Sequence, residues 1–317
     1  MPGALWGAPG SGSRENTTKT SRAIKLGALR TPTLALAVLL LFSALSSHAR
    51  PEGRPLRIIS LAPSITEALY AIGAQDLIVG VGDFCDYPPE SKKLPRVGGY
   101  LDPNLERFIS LTPDLVIVSG RHEKVDAFCQ EQNIRVLHLA IDNIAGIYTG
   151  IRKLGELTGR QSQAESLCEK IRTGLSEVAR KSADAPRRKV FVCINRAPGS
   201  LGSVYTAGRK SFLSEILAMA GGENIFDDVT LPYPEASKES ILVRAPDVIL
   251  DLRPGEDLSE NKKKRLASDW EVLRNVPAVR NHRVFVLTEN FLMLPGPRVV
   301  NAARTLADYL NRDGGKP

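Results

Sequence analysis

Two stretches of the sequence occur twice in the same order, and this internal repeat constrains the fold more than any other feature. Residues 67–78 (EALYAIGAQDLI) match residues 215–226 (EILAMAGGENIF), with a glutamate six residues before a glycine in both. Residues 106–117 (ERFISLTPDLVI) match residues 239–250 (ESILVRAPDVIL), with a glutamate seven residues before a proline in both. Each match is typical of a helix that ends before a strand. Two matches in register predict two similar lobes, and a cleft between lobes is a usual place for a small ligand.

Short runs rich in valine, isoleucine and leucine alternate with segments of helical periodicity in both halves of the chain. This alternation predicts an α/β fold with mainly parallel sheets. The predicted lobes span residues 56–143 and 187–311. The predicted strands are Arg57–Leu61, Leu77–Val81, Leu115–Ser119, Arg135–Leu139, Lys189–Ile194, Asp247–Leu250 and Arg283–Leu287.

Between the two lobes, apolar residues recur at three- and four-residue spacing from Ile144 to Val178 without a strand pattern. The spacing predicts one long helix, or two nearly collinear helices bent at Thr158 and Gly159. At about 1.5 Å per residue such a helix would run roughly 50 Å, long enough to join both lobes as a rigid strut. We therefore expect residues 144–182 to form a single long linking helix.

The first 49 residues have a different character from the rest. Five basic side chains precede an uncharged and almost wholly apolar stretch from Leu34 to Leu45, and the sequence Ser-Ser-His-Ala follows, with small residues at the positions that a signal peptidase recognises. This pattern predicts a secretory signal that is cleaved near Ala49, and hence a protein exported to the periplasm. A retained membrane anchor, carrying a sensor domain, is the alternative.

The charge of the chain argues against nucleic acid as a partner. Residues 1–49 carry five basic residues and one acidic residue, so their removal lowers the net charge from +7 to +3. Proteins that bind nucleic acid keep a concentrated basic face, whereas the basic run at residues 262–265 is isolated and typical of a solvated helix face.

The chemistry-bearing residues do not predict an enzyme. The sequence contains no GxSxG, HExxH or CxxC motif and no glycine loop ending in Gly-Lys-Ser/Thr. Cys168 and Cys193 fit small buried apolar residues, while Cys85 and Cys129 are compatible with a disulfide in an oxidising compartment. A metal-dependent enzyme of the same architecture is the alternative class, although scattered histidines do not indicate a metal site.

Four tyrosines lie in loops rich in glycine and proline, two in each predicted lobe, and they are Tyr87, Tyr100, Tyr205 and Tyr233. Aromatic rings on rigid loops offer large contact area with little entropy lost on binding. These tyrosines therefore predict an aromatic cleft, although each could instead cover only its own loop. His122 follows a predicted strand, where side chains line such crevices, and is a further candidate ligand contact.

Residues 56 to about 311 resemble the substrate-binding proteins of ABC importers for cobalamin, ferric siderophores and haem. The segments DYPPE (86–90), PNLER (103–107), GGENIF (221–226) and PR (297–298) are most similar to the cobalamin-binding branch. The resemblance implies two α/β lobes joined by a single long helix that permits only small opening and closing. It also implies capture of a corrinoid without covalent chemistry, and delivery to a permease dimer at the inner membrane.

By the same resemblance, Tyr87 matches a ligand-contacting tyrosine, and Tyr100, Tyr205 and Tyr233 fall where the family places aromatic rings around the corrin. After the last strand the family can carry an aspartate and an arginine that contact the ligand. Asn290 stands in that segment here and can still form hydrogen bonds.

Two positions depart from the cobalamin-binding pattern. Leu294 cannot form the hydrogen bonds of that segment, and Ser119 stands where a cleft tryptophan is frequent. A variant corrinoid or another tetrapyrrole would fit as well as cobalamin. The alternative within the family is haem or a ferric siderophore, with Tyr87, His122 or Tyr233 reaching the iron.

Glu106 and Glu239 match two exposed glutamates of the family, one per lobe, that dock onto arginines of the dimeric permease. Their equivalent places in the repeat fit this role, because a symmetric dimer requires a pseudo-symmetric partner surface. The alternative is that each is a helix-start carboxylate favoured by the helix dipole. The binding protein itself is expected to be a monomer.

Overall fold

The computed structural model describes residues 54–312. The predicted secretory signal at residues 1–49, with cleavage near Ala49, lies outside this range. Within it, every helix is too short or too polar to cross a membrane.

The first lobe is built on a sheet of four parallel strands. Their order across the sheet is β2-β1-β3-β4. The strands are β1 Ile58–Ser60, β2 Ile78–Val81, β3 Leu115–Ser119 and β4 Arg135–Leu139. The helices among and after these strands are α1 Pro63–Ala71, α2 Leu105–Leu111, α3 Glu123–Glu131 and α4 Ile144–Thr158. Strand β3 is central and nearly all buried, which explains its unbroken apolar run.

The second lobe follows α5 (Gln161–Ser182) and holds a mixed sheet in the order β10-β9-β5-β6-β8, with β7 paired to β5. The strands are β5 Arg188–Arg196, β6 Val204–Thr206, β7 Gly222–Asn224, β8 Glu235–Ala236, β9 Val248–Leu252 and β10 Val284–Leu287. The helices are α6 Phe212–Met219, α7 Lys238–Arg244, α8 Glu260–Ser268, α9 Pro277–Arg280 and α10 Val299–Asn311. Strands β6 and β8 run antiparallel to their neighbours.

The predicted fold class is confirmed, because both lobes are α/β and their central strands are parallel. Strands β6, β7 and β8 were not predicted. They contain two or three residues each, too few for an alternating apolar pattern to be visible in the sequence.

The sequence repeat extends to the backbone. Gly73 and Gly221 both have left-handed conformations, with φ of 76° and 88°, which glycine adopts without steric cost.

In each lobe, the aspartate after the repeated proline accepts a hydrogen bond from the backbone at or next to the first strand of the sheet. Asp114 accepts a hydrogen bond from the backbone N–H of Arg57 at 2.9 Å. In the second lobe, Asp247 accepts one from the backbone N–H of Lys189 at the same distance.

The prediction of a continuous or nearly collinear strut is wrong at Gly159. This residue ends α4 in the left-handed conformation, with φ of 69°, so α5 turns back along α4. The Arg152 guanidinium donates to both carboxylate oxygens of Glu165 at 2.8 and 3.0 Å across the pair. A Cβ added to Gly155 would lie 2.5 Å from the Cβ of Ala164. The two helices therefore form an antiparallel hairpin.

The linking role consequently falls to one of the two helices. Helix α4 packs on α1 of the first lobe, whereas α5 packs on α4, α6 and α10. A Cβ added to Gly174 of α5 would lie 2.6 Å from Cγ1 of Val300 on α10, so these helices are in close contact. One cluster of buried apolar side chains runs through both lobes and includes Ile171 and Leu175 of α5. We propose that α4 belongs to the first lobe and that α5 alone is the long linking helix.

The hairpin contact predicts the effect of a substitution at Gly155. We expect Gly155→Ala to lower the free energy of unfolding by about 1–2 kcal/mol, because overpacking outweighs the gain of about 1 kcal/mol in helix propensity. The double variant Gly155→Ala with Ala164→Gly should recover part of the loss. Gly202→Ala, whose added Cβ would meet only the Ser200 hydroxyl at 3.3 Å, serves as a control in urea denaturation. Unchanged stability of Gly155→Ala would contradict the hairpin.

Candidate functional site

The carboxyl ends of the parallel strands carry most of the predicted ligand contacts. Tyr87 follows β2 and His122 follows β3 in the first lobe, whereas Asn290 follows β10 in the second. Tyr205 lies within β6, opposite Asn195 near the carboxyl end of β5. Ligands of parallel α/β sheets bind at this edge. The described fold thus places the candidate residues of both lobes where a ligand site is expected.

Arg298, immediately before α10, contacts both lobes. Its Nε and Nη2 donate to the Glu67 carboxylate on α1 at 2.9 and 2.6 Å, and its Nη1 donates to Oδ1 of Asn290 at 2.8 Å. The centre of the guanidinium lies 4.0 Å from the centre of the Tyr87 ring, within range of a cation–π interaction. Tyr87 of the first lobe and Asn290 of the second therefore meet at one side chain.

The ion pair between Glu67 and Arg298 is almost entirely withdrawn from water. The Glu67 side chain is 2% exposed and that of Arg298 is 12% exposed. Burial raises the pKa of the Glu67 carboxyl above its ordinary value, and the hydrogen bonds and charge of Arg298 oppose this shift. The bidentate pair therefore offsets only part of the cost of burying the carboxylate.

Neither member of this pair was predicted as a site residue. Glu67 was noted only as a repeat position and Arg298 only as part of a motif. A glutamate within the otherwise uncharged α1 was the signal available, because a charge on a buried helix face requires a partner. The sequence offers no means of choosing that partner among many arginines.

Glu215 is the residue that corresponds to Glu67 in the repeat, and it makes a contact from the second lobe toward the first. Glu215 on α6 accepts a hydrogen bond from the backbone N–H of Ile144, the first residue of α4, at 2.6 Å. Beside it, the N–H of Phe212 donates to the carbonyl of Asp142 at 2.7 Å. Glu67 thus contacts the residue before α10, and Glu215 contacts the first residue of α4.

Tyr100 and His122 form an edge-to-face aromatic pair within the first lobe, with ring centres 4.7 Å apart. The Tyr100 hydroxyl lies 2.9 Å from the Ser119 carbonyl and 3.1 Å from that of Arg121. His122 is 7% exposed; its Nδ1 accepts from the N–H of Val125 at the start of α3, and its Nε2 contacts the Tyr100 carbonyl. The structure thus shows that His122 caps α3, and its contact with a ligand stays a prediction. The hydroxyl of Tyr100 is engaged by these carbonyls, so the predicted ligand contact of Tyr100 would be made through its ring.

Tyr205 and Tyr233 lie on neighbouring segments at the edge of the second sheet. The Thr206 N–H donates to the Pro234 carbonyl at 3.0 Å, which extends the pairing of β6 and β8 and places the two tyrosines diagonally on one face. Their exposed fractions are 40% and 36%. Burial, and then the nearby charge of Asp142, raises the pKa of Tyr233 to about 12, so its phenol is protonated at neutral pH.

The cysteines do not form a reactive or metal-binding centre. All four lie in the described part of the chain and are buried and unpaired, so the bridge considered between Cys85 and Cys129 is not formed. Burial raises the pKa of each of these two thiols to about 11, which disfavours the nucleophilic thiolate. Within residues 54–312, no group of three or more histidine, cysteine or carboxylate side chains is arranged to hold a metal ion.

Comparison with known proteins agrees with this architecture. Residues 58–291 match the model of a family described as periplasmic binding protein. The chain belongs to the periplasmic binding protein family. The resemblance noted in the sequence is therefore confirmed, and the relatives of this periplasmic binding protein are binding proteins rather than enzymes.

Individual relatives cover most of the chain. A vitamin B12-binding protein of Photorhabdus laumondii is 29% identical over 278 residues, which are 87% of this chain and 95% of the relative. The crystal structure of the periplasmic vitamin B12 binding protein BtuF of Vibrio cholerae aligns with a TM-score of 0.67 at 28% identity, covering 80% of this chain and 96% of that one. A periplasmic heme binding protein from Pseudomonas aeruginosa aligns with a TM-score of 0.70 at 24% identity, covering 83% and 96%. The last likeness shows the fold alone.

The buried ion pair predicts a coupled loss of stability. We expect Glu67→Gln and Arg298→Gln each to lower the free energy of unfolding by about 3–5 kcal/mol, because each leaves an uncompensated buried charge. The double variant should lose clearly less than the sum of the two, as measured by urea denaturation. Arg304→Gln, which breaks an exposed pair with Glu177, should cost less than about 1 kcal/mol. Additive losses at Glu67 and Arg298 would show that the two side chains do not stabilise each other.

Proposed function

We propose that this periplasmic binding protein captures a corrinoid, cobalamin or a close variant, in the cleft between its lobes and delivers it to an ABC transporter permease dimer at the inner membrane. The junction at Arg298 carries the proposal, because Tyr87 and Asn290 from opposite lobes meet there at the carboxyl ends of both sheets. A ligand at that place contacts both lobes at once. The likeness to vitamin B12-binding proteins over nearly the whole length of both chains supports a corrinoid.

Exposed apolar side chains beside the candidate tyrosines support a large flat ligand. In the first lobe, Phe84 is 73% exposed and Leu101 is 83% exposed, in the loops that carry Tyr87 and Tyr100. In the second lobe, Leu231 is 63% exposed, two residues before Tyr233. Large apolar side chains concentrated in site loops are typical of a ligand-binding surface. We propose that the macrocycle covers them together with the rings of the four tyrosines, and that Asn290 binds its periphery.

The contacts of one candidate iron ligand support a corrinoid over haem. Both ring nitrogens of His122 are engaged by backbone groups of the first lobe, whereas a haem-binding histidine offers a free ring nitrogen to the iron. Cobalamin carries its own axial base and needs no metal ligand from the protein.

Delivery rests on Glu106 and Glu239, which are exposed at the starts of α2 and α7. Hydrogen bonds from its own backbone N–H and from the Ser237 hydroxyl lower the pKa of Glu239, so this carboxylate is ionised at neutral pH. Two carboxylates at equivalent places of similar lobes suit a dimeric partner with one cationic group per subunit. We further infer that residues 1–49 direct export and that the mature protein acts as a monomer.

Ligand titration tests the capture step. We expect cyanocobalamin to bind in isothermal calorimetry, and Tyr87→Ala and Tyr233→Ala each to weaken binding by about tenfold or more, because each removes a large aromatic contact. Val272→Ala, an exposed apolar position outside these loops, serves as the control. If calorimetry shows no binding heat with corrinoids while the absorption spectrum of haemin shifts on mixing with the protein, the ligand is haem and the corrinoid proposal is wrong.

Charge reversal tests the delivery step. Glu106→Lys and Glu239→Lys should abolish corrinoid uptake by cells that depend on this protein while leaving cyanocobalamin affinity unchanged, since both side chains lie on exposed helices. Glu260→Lys is a matched control, because Glu260 is also an exposed glutamate at a helix start. Normal uptake by the Glu106 and Glu239 variants, or a loss of cyanocobalamin affinity, would refute the assigned role.

A further inference from the structure

The helices that carry Glu106 and Glu239 also expose apolar side chains at matching positions. In α2, Ile109 lies three residues after Glu106 and is 51% exposed. In α7, Leu242 lies three residues after Glu239 and is 40% exposed, and Val243, the next residue, is 85% exposed. Residues three and four apart share one face of a helix. Each lobe therefore presents a carboxylate and an apolar group on one face, which we call the carboxylate–apolar face.

Matching anchors give the two helices the same orientation. Phe108 in α2 and Ile241 in α7, each two residues after the glutamate, are completely buried. Both helices end in a left-handed residue, Thr112 with φ of 43° and Ala245 with φ of 45°. The two helices are thus buried at one equivalent position and end at another. The remaining equivalent positions therefore face solvent in both lobes. The carboxylate–apolar face is thus part of the repeated design.

Packing among residues 54–312 leaves the apolar members of these faces exposed. A single exposed apolar residue is ordinary on a protein surface. Here apolar residues occur at equivalent positions of two lobes, each one turn from an exposed carboxylate. That arrangement fits a partner that offers the same pocket twice, as the subunits of a two-fold symmetric dimer do.

We propose that Ile109, Leu242 and Val243 form an apolar half of the docking surface and pack against two equivalent pockets of a two-fold symmetric membrane permease. Each pocket would place a cationic group, which meets the carboxylate, beside an apolar wall. The proposal rests on the proposed delivery function and assigns the chemistry of its partner surface. The second lobe makes the larger apolar contact, because Val243 stands where the first lobe has Ser110.

The test measures binding of the full mature protein to the cognate permease–ATPase complex in lipid nanodiscs, by surface plasmon resonance. Ile109→Ser, Leu242→Ser and Val243→Ser should each weaken binding by about tenfold, with the larger combined loss in the second lobe. Val272→Ser, which alters an apolar side chain that is 63% exposed elsewhere, should bind as the unmodified protein does. Cyanocobalamin affinity, measured in parallel by calorimetry, should be unchanged in all four variants.

The other outcomes separate this inference from the function on which it rests. If the three serine variants bind the complex normally while Glu106→Lys and Glu239→Lys do not, the apolar contact is overturned and the delivery function stands. The unmodified protein could also bind empty nanodiscs as well as it binds the complex, with the serine variants losing this binding. That result would show that the apolar residues contact the bilayer, and it would overturn the proposed permease pocket. An unmodified protein that binds neither cyanocobalamin nor the complex would overturn the proposed function and this inference together.

Discussion

Two crossed contacts hold the lobes against each other, and the ligand cleft that we propose between the lobes depends on them. Glu67 of the first lobe pairs with Arg298 at the start of α10, and Glu215 of the second lobe accepts a hydrogen bond from Ile144 at the start of α4. The N-terminus of a helix carries partial positive charge, which favours the Glu215 carboxylate there, whereas Glu67 is held by the charge of the Arg298 guanidinium. Arg298 also touches Tyr87 and Asn290. The contact that joins the lobes is therefore the same one that positions candidate ligand groups from each of them.

Much of the fold could be predicted because the sequence contains an internal repeat, with one copy in each lobe. The repeated glutamate, glycine and proline positions marked helix ends and strand starts, and Gly73 and Gly221 adopt the left-handed conformation that glycine permits. The linking segment could not be predicted in the same way. A collinear pair of helices and an antiparallel pair have the same apolar periodicity, and the difference lies in contacts such as the one between Gly155 and Ala164. Gly159 marked a break in the helix, but a break alone does not give the direction of the next one.

The places of the candidate residues in the fold were more predictable than the contacts that these residues make. Tyrosines in punctuated loops indicated the edge of the sheets where they lie, yet the loop pattern could not show that the hydroxyl of Tyr100 reaches the Ser119 carbonyl or that His122 caps a helix. Arg298 was missed as a site residue because its partner Glu67 is 231 residues away in the chain. Such a pairing follows only from the packing of one lobe on the other, which no local pattern contains.

The central claim is that a corrinoid binds between the lobes, and the most direct measurement is a crystal structure of the protein grown with cyanocobalamin, with the cobalt located by its anomalous scattering. The account predicts one cobalt peak in the cleft, with the macrocycle in contact with Tyr87 on one side and Tyr233 on the other. A cobalt peak outside the cleft, or crystals of the cyanocobalamin mixture that contain no cobalt, would contradict it.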